Sequence, residues 1–312
     1  MTLATFPALV RPLLEPRLPA WLEVRWFATK DEAFALAPDA EIGWFDMYDK
    51  GDMAAAVAAA ERLRWLNSIY AGLDGMPLDL LAGRGVAVTN GAGINALTIA
   101  EYVVMGMLII AKGYDDVLRA RDRREWLQNS PGKLELAGTR ALLLGAGAIG
   151  GLVKARLEAF EVTVDVVRRS PRTGDLGQHD WRPRLGDYDW IILAVPATAE
   201  TEGMIGRAEL AAMKPSAAIA NVARGSVIDQ PALVEALQEG RLAHAFLDVT
   251  TPEPLPPEHP LWALPNAHLS MHLSGQAQTK MFERSAQRFL DNLGRWQRGE
   301  PLAHQVDLAR GY

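Results

Sequence analysis

The chain carries ALLLGAGAIGGLVKARLEAF at residues 141–160, an apolar run followed by a glycine turn and a helical stretch. Residues 141–144 predict a buried strand, 145–150 a tight turn and 151–160 a helix. In that order, the backbone N–H groups and the helix dipole at the turn face the pyrophosphate of a dinucleotide. An ordinary glycine-rich turn is the alternative, but the strand before it and the helix after it favour a dinucleotide site.

The turn GAGAIG has glycine at three positions where a larger side chain would interfere with the turn, the phosphates or the helix. Gly145 would make the tight turn, Gly147 would let the phosphates approach the backbone, and Gly150 would let the helix pack on the strand. Ala148 and Ile149 lie between Gly147 and Gly150, just before the predicted helix. We therefore predict that these five residues contact the cofactor.

The end of the second predicted strand, residues 162–167, indicates which dinucleotide binds. An NAD enzyme normally has an acidic residue here that accepts hydrogen bonds from the ribose hydroxyls. This chain has Arg168, Arg169 and Ser170 instead. Because guanidinium groups bind a ribose phosphate and serine adds a donor, we predict NADP, with NAD as the alternative. A solvated basic turn is the simpler interpretation of the same residues.

The composition excludes several classes of protein. Of 312 residues, 49% are hydrophobic and 22% are charged, which is typical of a globular protein of this length with two domains. A net charge of -6 gives no reason to expect a nucleic acid partner, and the basic run 119–124 is interpreted as a solvated helix end. The longest apolar stretch, 102–111, is too short to span a membrane. Since cysteine is absent, we predict no disulfide, no thiolate catalysis and no thiolate metal site, which fits a reducing compartment. A cytoplasmic location is the default expectation, and no metal is predicted.

Strand and helix patterns alternate twice along the chain. The first series has apolar strands at 24–27, 42–45, 66–70 and 86–88, and the second continues through Leu193, Ile219 and Phe246. Long helices are predicted at 96–113 and 279–298, and the last one could return to the first domain. We therefore predict an α/β fold of two Rossmann-like lobes, with doubly wound parallel sheets and a cleft between them. The predicted boundaries are 1–95 and 280–312 for a substrate domain, and 96–279 for a dinucleotide-binding domain.

Three polar residues follow predicted strands of the second domain, where an open parallel sheet binds its ligands. They are Arg224, Glu253 and His272. Singly, each has an ordinary interpretation as a surface arginine, a loop acid and a structural histidine. Together they supply what the reduction of a 2-oxo acid needs: a cation for the carboxylate, a proton donor for the carbonyl oxygen, and a carboxylate that keeps the donor protonated. The other histidines have no partner pattern and are interpreted as structural or solvated; they are His179, His244, His259, His268 and His304.

Longer motifs identify a family. They are AVP at 194–196, MKPSAAIANVARGSVID at 213–229, LDVTTPEPLPPEHPLW at 247–262 and QVDLARGY at 305–312. With these motifs the chain resembles the D-isomer-specific 2-hydroxyacid dehydrogenases, and within them the glyoxylate/hydroxypyruvate reductase A branch. The resemblance covers nearly the whole chain.

The resemblance implies a role for each residue of the polar trio. Arg224 matches the family's anchor for the substrate carboxylate and carbonyl, Glu253 the acid paired with the catalytic imidazole, and His272 the proton donor. Further matches line the nicotinamide half of the cofactor site, namely Val195, Pro196, Ala223 and Asp248. Thr201, which follows the AVP motif together with Thr198, is also predicted to bind the cofactor. In the first domain, Ala71-Gly72-Leu73-Asp74 matches the turn whose amides hold the substrate carboxylate, and Trp44 matches an aromatic of the substrate site.

The chain departs from the family pattern at four places. Arg168 replaces the ribose-binding acid, as in the branch that uses NADP. Glu161 stands where a glycine commonly precedes the second strand, and Met271 stands where a proline usually precedes the catalytic histidine. The stretch 250–252 ahead of Glu253 is also atypical. None of these changes removes a reacting group.

These observations predict an oxidoreductase that reduces a small 2-oxo acid, of the glyoxylate or hydroxypyruvate type, with hydride from NADPH. One alternative is a dehydrogenase of the same family that acts with NAD on another 2-hydroxy acid or on a phosphorylated substrate. A regulator that binds nicotinamide without catalysis is a second alternative, although such proteins tend to lose the reacting trio. The resemblance also implies a homodimer with a small-molecule substrate and no nucleic acid or membrane partner.

Overall fold

The computed structural model describes residues 1–73, 75–276 and 279–309. The chain divides into two compact units, of which the first comprises Met1–Asn95 and Gln278–Tyr312 and the second comprises Ala96–Ala277. Each unit contains a parallel β-sheet with helices, as predicted from the alternation of strand and helix patterns.

The first unit has a five-stranded sheet in the order β2-β1-β3-β4-β5. Its strands are β1 (Thr2–Pro7), β2 (Leu22–Phe27), β3 (Ile42–Gly43), β4 (Trp65–Asn67) and β5 (Ala87–Thr89). Its helices are α1 (Arg11–Leu14), α2 (Lys30–Leu36), α3 (Lys50–Ala59), α4 (Leu78–Gly83) and α10 (Met281–Gln297), with 3-10 turns at Ala8–Val10, Glu15–Arg17 and Ala37–Asp39. All paired strands run parallel, so the loops that follow β3, β4 and β5 leave the sheet at one edge.

Strand β1 is absent from the sequence prediction, which began the first series of strands after residue 20. In the structure β1 lies between β2 and β3, and Ala4, Thr5 and Phe6 are buried. This strand was missed because it ends at a proline, Pro7, and because its pairing partners lie further along the chain.

Helix α10 supplies the core of the first unit with its apolar face. The Phe289 ring stacks on Trp65 with 4.9 Å between centroids, and it meets Phe6 edge-on at 5.0 Å. Ala286 and Leu293, one turn to either side, are also buried. The near-helical spacing of apolar residues therefore predicted this helix correctly, with ends within two residues of the observed ones.

The second unit has a six-stranded sheet in the order β11-β10-β9-β8-β6-β7. Its strands are β6 (Arg140–Leu144), β7 (Thr163–Val167), β8 (Trp190–Leu193), β9 (Ala218–Asn221), β10 (His244–Leu247) and β11 (Ala267–Leu269). Its helices are α5 (Ala96–Lys112), α6 (Tyr114–Asp122), α7 (Ala148–Ala159), α8 (Arg207–Ala212) and α9 (Gln230–Gln238), with 3-10 turns at Arg182–Asp187, Gly225–Val227 and Pro260–Trp262. The strand order reverses between β6 and β8, which makes their carboxyl ends the ligand-binding crevice of a doubly wound sheet.

Both faces of this second sheet are covered. Leu142 and Leu144 pack on the side of α8 and α9, whereas the intervening Leu143 packs on the side of α5 and α7. Helix α5 approaches the sheet so closely that a Cβ on Gly106 would lie 2.5 Å from the ring of Phe246. Continuous apolar strands such as β6 and β8 are therefore explained by burial on two sides.

Among the described residues, no single helix has the length and apolar composition needed to cross a membrane. Helices α5 and α6 meet those two criteria only when they are taken together, as a pair bent by 70°.

Candidate active site

The glycine turn joins β6 to α7, as predicted. Gly145 has a φ of 95°, and a Cβ there would lie 2.6 Å from the carbonyl oxygen of Ala194. A Cβ on Gly150 would lie 2.1 Å from the carbonyl oxygen of Gly145. Gly147 differs, because no described atom lies within 4 Å of a Cβ at that position, which is the N-cap of α7. The protein itself requires two of the glycines, and the third leaves open the space in front of the helix.

Helix α7 begins at that space, and no hydrogen bond within the described part of the chain uses the N–H groups of Ala148 or Ile149. Its first turn contains Ala148 and Ile149, and the backbone bond nearest the turn runs from the Gly151 N–H to the Gly147 carbonyl oxygen at 3.0 Å. The N–H groups before Gly151 therefore precede the helical ladder, at the positive end of a helix of 12 residues. This arrangement fits a dinucleotide pyrophosphate.

The loop after β8 lies at the same edge of the sheet. Val195 is half-buried and Pro196 is exposed. Thr201 Oγ1 donates to the Pro196 carbonyl oxygen at 2.7 Å and accepts a hydrogen bond from the Thr198 N–H at 2.9 Å. Thr201 therefore stabilises the conformation of this loop. The sequence analysis predicted it only as a cofactor contact.

Arg168 and Arg169, predicted to bind a ribose phosphate, follow β7 and have carboxylate neighbours. Arg168 NH1 donates to the carbonyl oxygen of Ala146 at 2.8 Å. Its Nε lies 2.6 Å from Asp175 Oδ2, as an ion pair in which the N–H does not point at the oxygen. Arg169 forms an ion pair with Glu200, and Ser170 is exposed. The acidic partners reduce the positive charge offered to a phosphate, and the sequence analysis did not predict them.

The polar trio comes from loops that follow three neighbouring strands, β9, β10 and β11, at their carboxyl ends. His272 Nδ1 lies 2.7 Å from Glu253 Oε2, with 47% and 37% of the two side chains exposed. Glu253 Oε1 also accepts a hydrogen bond from the Thr250 N–H at 3.0 Å. Because Nδ1 faces the carboxylate, Nε2 is the nitrogen that the imidazole can offer to a substrate.

The charges of the trio act on one another. The hydrogen bond with Glu253 raises the pKa of His272, with further support from the carboxylates of Glu253 and Asp248. Burial by itself would raise the pKa of Glu253, but the hydrogen bonds from His272 and Thr250 outweigh it and the pKa is lowered. Arg224 lowers both pKa values through its charge. The pair is therefore disposed to exist as imidazolium and carboxylate, beside a guanidinium.

The loop that holds Arg224 is fixed by a buried amide. Asn221, at the end of β9, donates from Nδ2 to the Arg224 carbonyl oxygen at 2.9 Å and accepts the N–H of Ala223 at 3.0 Å. Arg224 NH1 donates to the carbonyl oxygen of Ala223 at 2.8 Å. Gly225 lets this loop pass close to the next one, since a Cβ there would lie 2.1 Å from the Thr250 carbonyl oxygen.

Asp248 organises the histidine loop, a role that the sequence did not predict. Its side chain is 3% exposed and accepts hydrogen bonds from Ser270 Oγ at 2.7 Å, from the Ser274 N–H at 3.2 Å and from Ser274 Oγ. Its own carbonyl oxygen accepts the N–H of His272 at 2.6 Å. The predicted contact of Asp248 with the nicotinamide half stays a prediction.

The residue before the histidine has an unusual backbone. Met271 and His272 have φ values of 53° and 57°, in the left-handed region. Proline cannot occupy position 271 in this conformation, because its ring fixes φ near -65°. Glu161, which stands where the family has glycine, has a φ of 60°, so the turn keeps its left-handed shape with a side chain present.

In the first unit, the turn after β4 was predicted to hold the substrate carboxylate with its backbone N–H groups. Among the described residues, none of the hydrogen bonds uses the N–H groups of Ala71, Gly72 or Leu73. The Asn90 side chain supports the turn by donating from Nδ2 to the Ala71 carbonyl oxygen at 2.8 Å. Asp74 and residues 310–312, which belong to the quoted motifs, lie outside the described residues.

Trp44 corrects the predicted set of substrate residues. Its side chain is 1% exposed and packs in the core, with 5.5 Å between its ring centroid and that of Phe289. A ring buried among core aromatics is not available to a substrate. Its indole Nε1 instead donates to Asp46 Oδ2 at 2.7 Å.

Asp46 was not singled out in the sequence analysis. Besides Trp44, it accepts hydrogen bonds from Ser68 Oγ at 2.7 Å and from the Ile69 N–H at 2.5 Å. Burial raises the pKa of Asp46 to about 6, although these hydrogen bonds oppose the shift. An acid directly after a parallel strand was the signal that could have revealed it, by the same rule that located the trio.

Another acid partner was missed in the second unit. The His268 side chain is almost completely buried, with Nδ1 2.5 Å from Asp115 Oδ2, and its Nε2 lies 3.4 Å from His244 Nδ1. The sequence analysis found no partner pattern because Asp115 is distant along the chain. Within the described ranges, no cluster of three or more acidic or histidine side chains could hold a metal ion.

Comparisons with known proteins agree with the geometry of the second unit. Residues 104–274 match the family model for the D-isomer specific 2-hydroxyacid dehydrogenase, NAD binding domain. The chain is 32% identical to a glyoxylate reductase from Korarchaeum cryptofilum, over 79% of this chain and 77% of that protein. It is 30% identical to a D-3-phosphoglycerate dehydrogenase from Archaeoglobus fulgidus over 81% of this chain, which spans 49% of that relative's length.

The fold is also shared with a solved structure. An NADPH-dependent glyoxylate/hydroxypyruvate reductase from Sinorhizobium meliloti, in complex with NADP and malonate, superposes with a TM-score of 0.78. The two chains are 27% identical, and the match covers 99% of this chain and 98% of the other.

Proposed function

The chain belongs to the D-isomer specific 2-hydroxyacid dehydrogenase family, and we propose that it reduces a small 2-oxo acid with hydride from NADPH. The observation that carries the proposal is the His272–Glu253 pair, with Nδ1 and Oε2 2.7 Å apart, beside Arg224 at the carboxyl edge of a dinucleotide-binding sheet. Glyoxylate and hydroxypyruvate are the proposed substrates, since reductases of that class are among the relatives.

Each residue of the trio has one role in the proposed reaction. Arg224 holds the substrate carboxylate and polarises the carbonyl group. When bound, the reduced nicotinamide supplies the hydride that reaches the carbonyl carbon. His272 donates the proton from Nε2 to the developing alkoxide oxygen, and Glu253 keeps the imidazole protonated and oriented through Nδ1. The proton and the hydride together convert the 2-oxo acid into the 2-hydroxy acid.

The first unit would contribute backbone donors. We assign the substrate carboxylate to the N–H groups of Ala71, Gly72 and Leu73, in line with the resemblance and with their lack of partners among the described residues. Amides held by a rigid turn bind an anion without adding a charge of their own.

NADPH is the proposed cofactor because the position of the ribose-binding acid is occupied by Arg168, with Arg169 and Ser170 behind it. The acids Asp175 and Glu200 weaken this preference, since each forms an ion pair with one of the two arginines. We therefore expect measurable activity with NADH as well.

A homodimer is proposed for the intact protein. The segment after α6 exposes large apolar side chains, including Trp126, which is 88% exposed, together with Leu127 and Leu134. Exposed apolar groups of this size mark an interaction surface, and light scattering combined with size-exclusion chromatography would measure the mass in solution.

The decisive assay follows the loss of NADPH absorbance when glyoxylate, hydroxypyruvate, pyruvate or 3-phosphohydroxypyruvate is added. We expect the highest kcat/KM with glyoxylate or hydroxypyruvate. The phosphorylated substrate tests the alternative raised by the phosphoglycerate dehydrogenase relative. A preference for it would replace the proposed substrate, and a protein that binds NADPH but reduces none of these acids would refute the proposed reaction.

A further inference from the structure

Asp46 lies at the base of the turn 71–73, to which we assign the substrate carboxylate, and its own hydrogen-bond donors are uncharged. Its two oxygens are held by Trp44 Nε1, Ser68 Oγ and the Ile69 N–H. No Lys, Arg or His within the described ranges forms an ion pair with it. Neutral donors stabilise the charge but do not cancel its field.

The turn that Asp46 supports continues directly into the proposed anion site. Ile69, which donates to Asp46, is two residues before Ala71, and Ser68 Oγ accepts the Tyr70 N–H at 3.1 Å. Two residues span at most about 7 Å, so an anion held by the amides of 71–73 would lie on the order of 10 Å from the Asp46 carboxylate. At that distance, in a half-buried region, salt screens two charges only weakly.

The turn is held firmly from its other side. Asn90 reaches the Ala71 carbonyl oxygen, and the Gly91 N–H donates to the Tyr70 carbonyl oxygen at 2.9 Å. A Cβ on Gly91 would lie 1.7 Å from the Ile69 carbonyl oxygen. Arg288 of α10 in turn donates to the carbonyl oxygens of Asn90 and Ala92, at 3.2 and 2.7 Å. A turn packed on both sides cannot easily move an anion away from Asp46.

We propose that Asp46 sets the charge class of the substrate, admitting 2-oxo acids whose only anionic group is the carboxylate next to the carbonyl and disfavouring those with a second anionic group. The inference rests on the proposed function, because it needs the substrate carboxylate on the 71–73 turn. Repulsion from one fixed carboxylate at this range corresponds to about a threefold to tenfold loss of affinity for each negative charge on the ligand.

Titration of Asp46 would switch this repulsion. Its pKa, raised by burial to about 6, places the change from neutral to charged within the assay range. Tyr70, on the turn after β4, is the titratable group that interacts with Asp46. Burial and the Asp46 charge raise the pKa of the Tyr70 hydroxyl, so Tyr70 stays uncharged over the assay range. On its own loop, Asp49 accepts the Asp52 N–H as the cap of α3, and Lys50 is exposed.

The test compares wild type with Asp46→Asn in steady-state reduction with NADPH between pH 5.5 and 8.5. Asparagine can accept the hydrogen bonds from Trp44 and Ile69 and donate to Ser68, so it preserves the turn without the charge. We expect the wild-type KM for glyoxylate to rise with pH by about threefold to tenfold relative to that of the variant, while kcat changes in parallel in both. Any effect of the titration of His272 is common to both proteins and cancels in the ratio.

A second measurement tests the charge class directly. We expect Asp46→Asn to improve kcat/KM for the dicarboxylate oxaloacetate more than for 2-oxobutyrate, which has the same chain length, by about threefold to tenfold at pH 8. Near pH 5.5 the difference should shrink, since Asp46 is then largely neutral in the wild type. The matched control is Glu61→Gln, which makes the same change in net charge at an exposed site before β4, at the opposite edge of the sheet.

The outcomes separate the two proposals. A ratio of KM values that does not depend on pH, or equal gains for oxaloacetate and 2-oxobutyrate, would overturn the role of Asp46 and leave the reductase proposal intact. Failure of both proteins to reduce any 2-oxo acid would overturn both. Ser68→Ala guards against a general effect of loosening the turn, because it removes one hydrogen bond from Asp46 but retains the charge. This variant should keep the pH-dependent discrimination.

Discussion

Two carboxylates at the ends of parallel strands, Glu253 in the second unit and Asp46 in the first, have opposite electrostatic environments. Glu253 is partly exposed and lies 2.7 Å from an imidazole, and its pKa is lowered. Asp46 accepts hydrogen bonds from neutral donors in a half-buried region, and its pKa is raised to about 6. The same chemical group at the same kind of position is therefore kept charged in one place and made easy to neutralise in the other. The partner and the solvent, rather than the residue type, decide which of these occurs.

The largest expected effect comes from removing the proton donor on the Glu253 side of the comparison. His272→Ala should lower kcat/KM for glyoxylate by about 10²- to 10⁴-fold, since a positioned general acid contributes this much. Arg224→Ala should have an effect of similar size through the lost charge. His179→Ala is the matched control, because that histidine is exposed and outside the trio. Near-normal turnover in either trio variant would remove the assignment of the site.

Glu253→Gln removes the negative charge beside His272 and keeps the size of the side chain. The raised pKa of His272 means that the imidazolium persists below that pKa and is lost as pH rises through it. Without the anionic partner the pKa of His272 should fall, so the decline in reductase activity should begin at lower pH. We expect a loss of kcat of about tenfold or more at pH 8 and a smaller loss in acid, measured from the pH dependence of kcat and kcat/KM. Unchanged profiles would show that the pairing does not control the donor.

Asp46→Asn tests the other carboxylate of the comparison through the stability of the protein. The folded-state pKa of about 6 lies above the ordinary value of 3.8, so stability falls as pH rises from the lower value through the higher one. The variant avoids burying this charge. It should be more stable than wild type by about 3 kcal/mol at pH 8, and similar to it near pH 4. Urea unfolding at both pH values measures the difference, and a stabilisation that is the same at both would contradict this assignment of charge.

Asp175 is a third carboxylate, and it is paired with a guanidinium rather than an imidazole. Arg168→Ala should reduce kcat/KM for NADPH relative to NADH by about tenfold, because one ion pair with the ribose phosphate is lost. Asp175→Asn should shift the preference in the other direction by a smaller factor, since it removes a competing anion 2.6 Å from Arg168. If neither variant changes the ratio of the two cofactors, the arginine turn is only a solvated surface.

The smallest expected effect is on stability and concerns Glu161, whose side chain stands at a left-handed backbone position. Glu161→Gly should stabilise the protein by up to about 1 kcal/mol, because glycine adopts the observed φ of 60° without the penalty of a side chain. The added chain entropy of glycine in the unfolded state opposes the gain. Glu135→Gln, at an exposed acid of the same unit, controls for the loss of charge. Destabilisation by Glu161→Gly would indicate that the side chain contributes more than its backbone conformation costs.

Much of the second unit could be predicted from local patterns. Apolar runs for β6 and β8, glycines at 145 and 150, and the helix that follows are consequences of short-range geometry and of burial on both faces of the sheet. The first unit was harder to predict, because β1 ends at a proline and because β3 has only two residues. Their pairing depends on partners that lie tens of residues away.

The amino-acid sequence by itself determined the family, the dinucleotide turn and the identity of the trio, because those depend on residue types at fixed spacing along the chain. Only the tertiary structure decided which charged and polar side chains lie next to one another. It placed Asp175 against Arg168, Asp115 against His268 and neutral donors around Asp46, and it buried Trp44 in the core. Electrostatic energies depend on distances in space and on exclusion of water, and neither quantity is written in the spacing of residues along the chain.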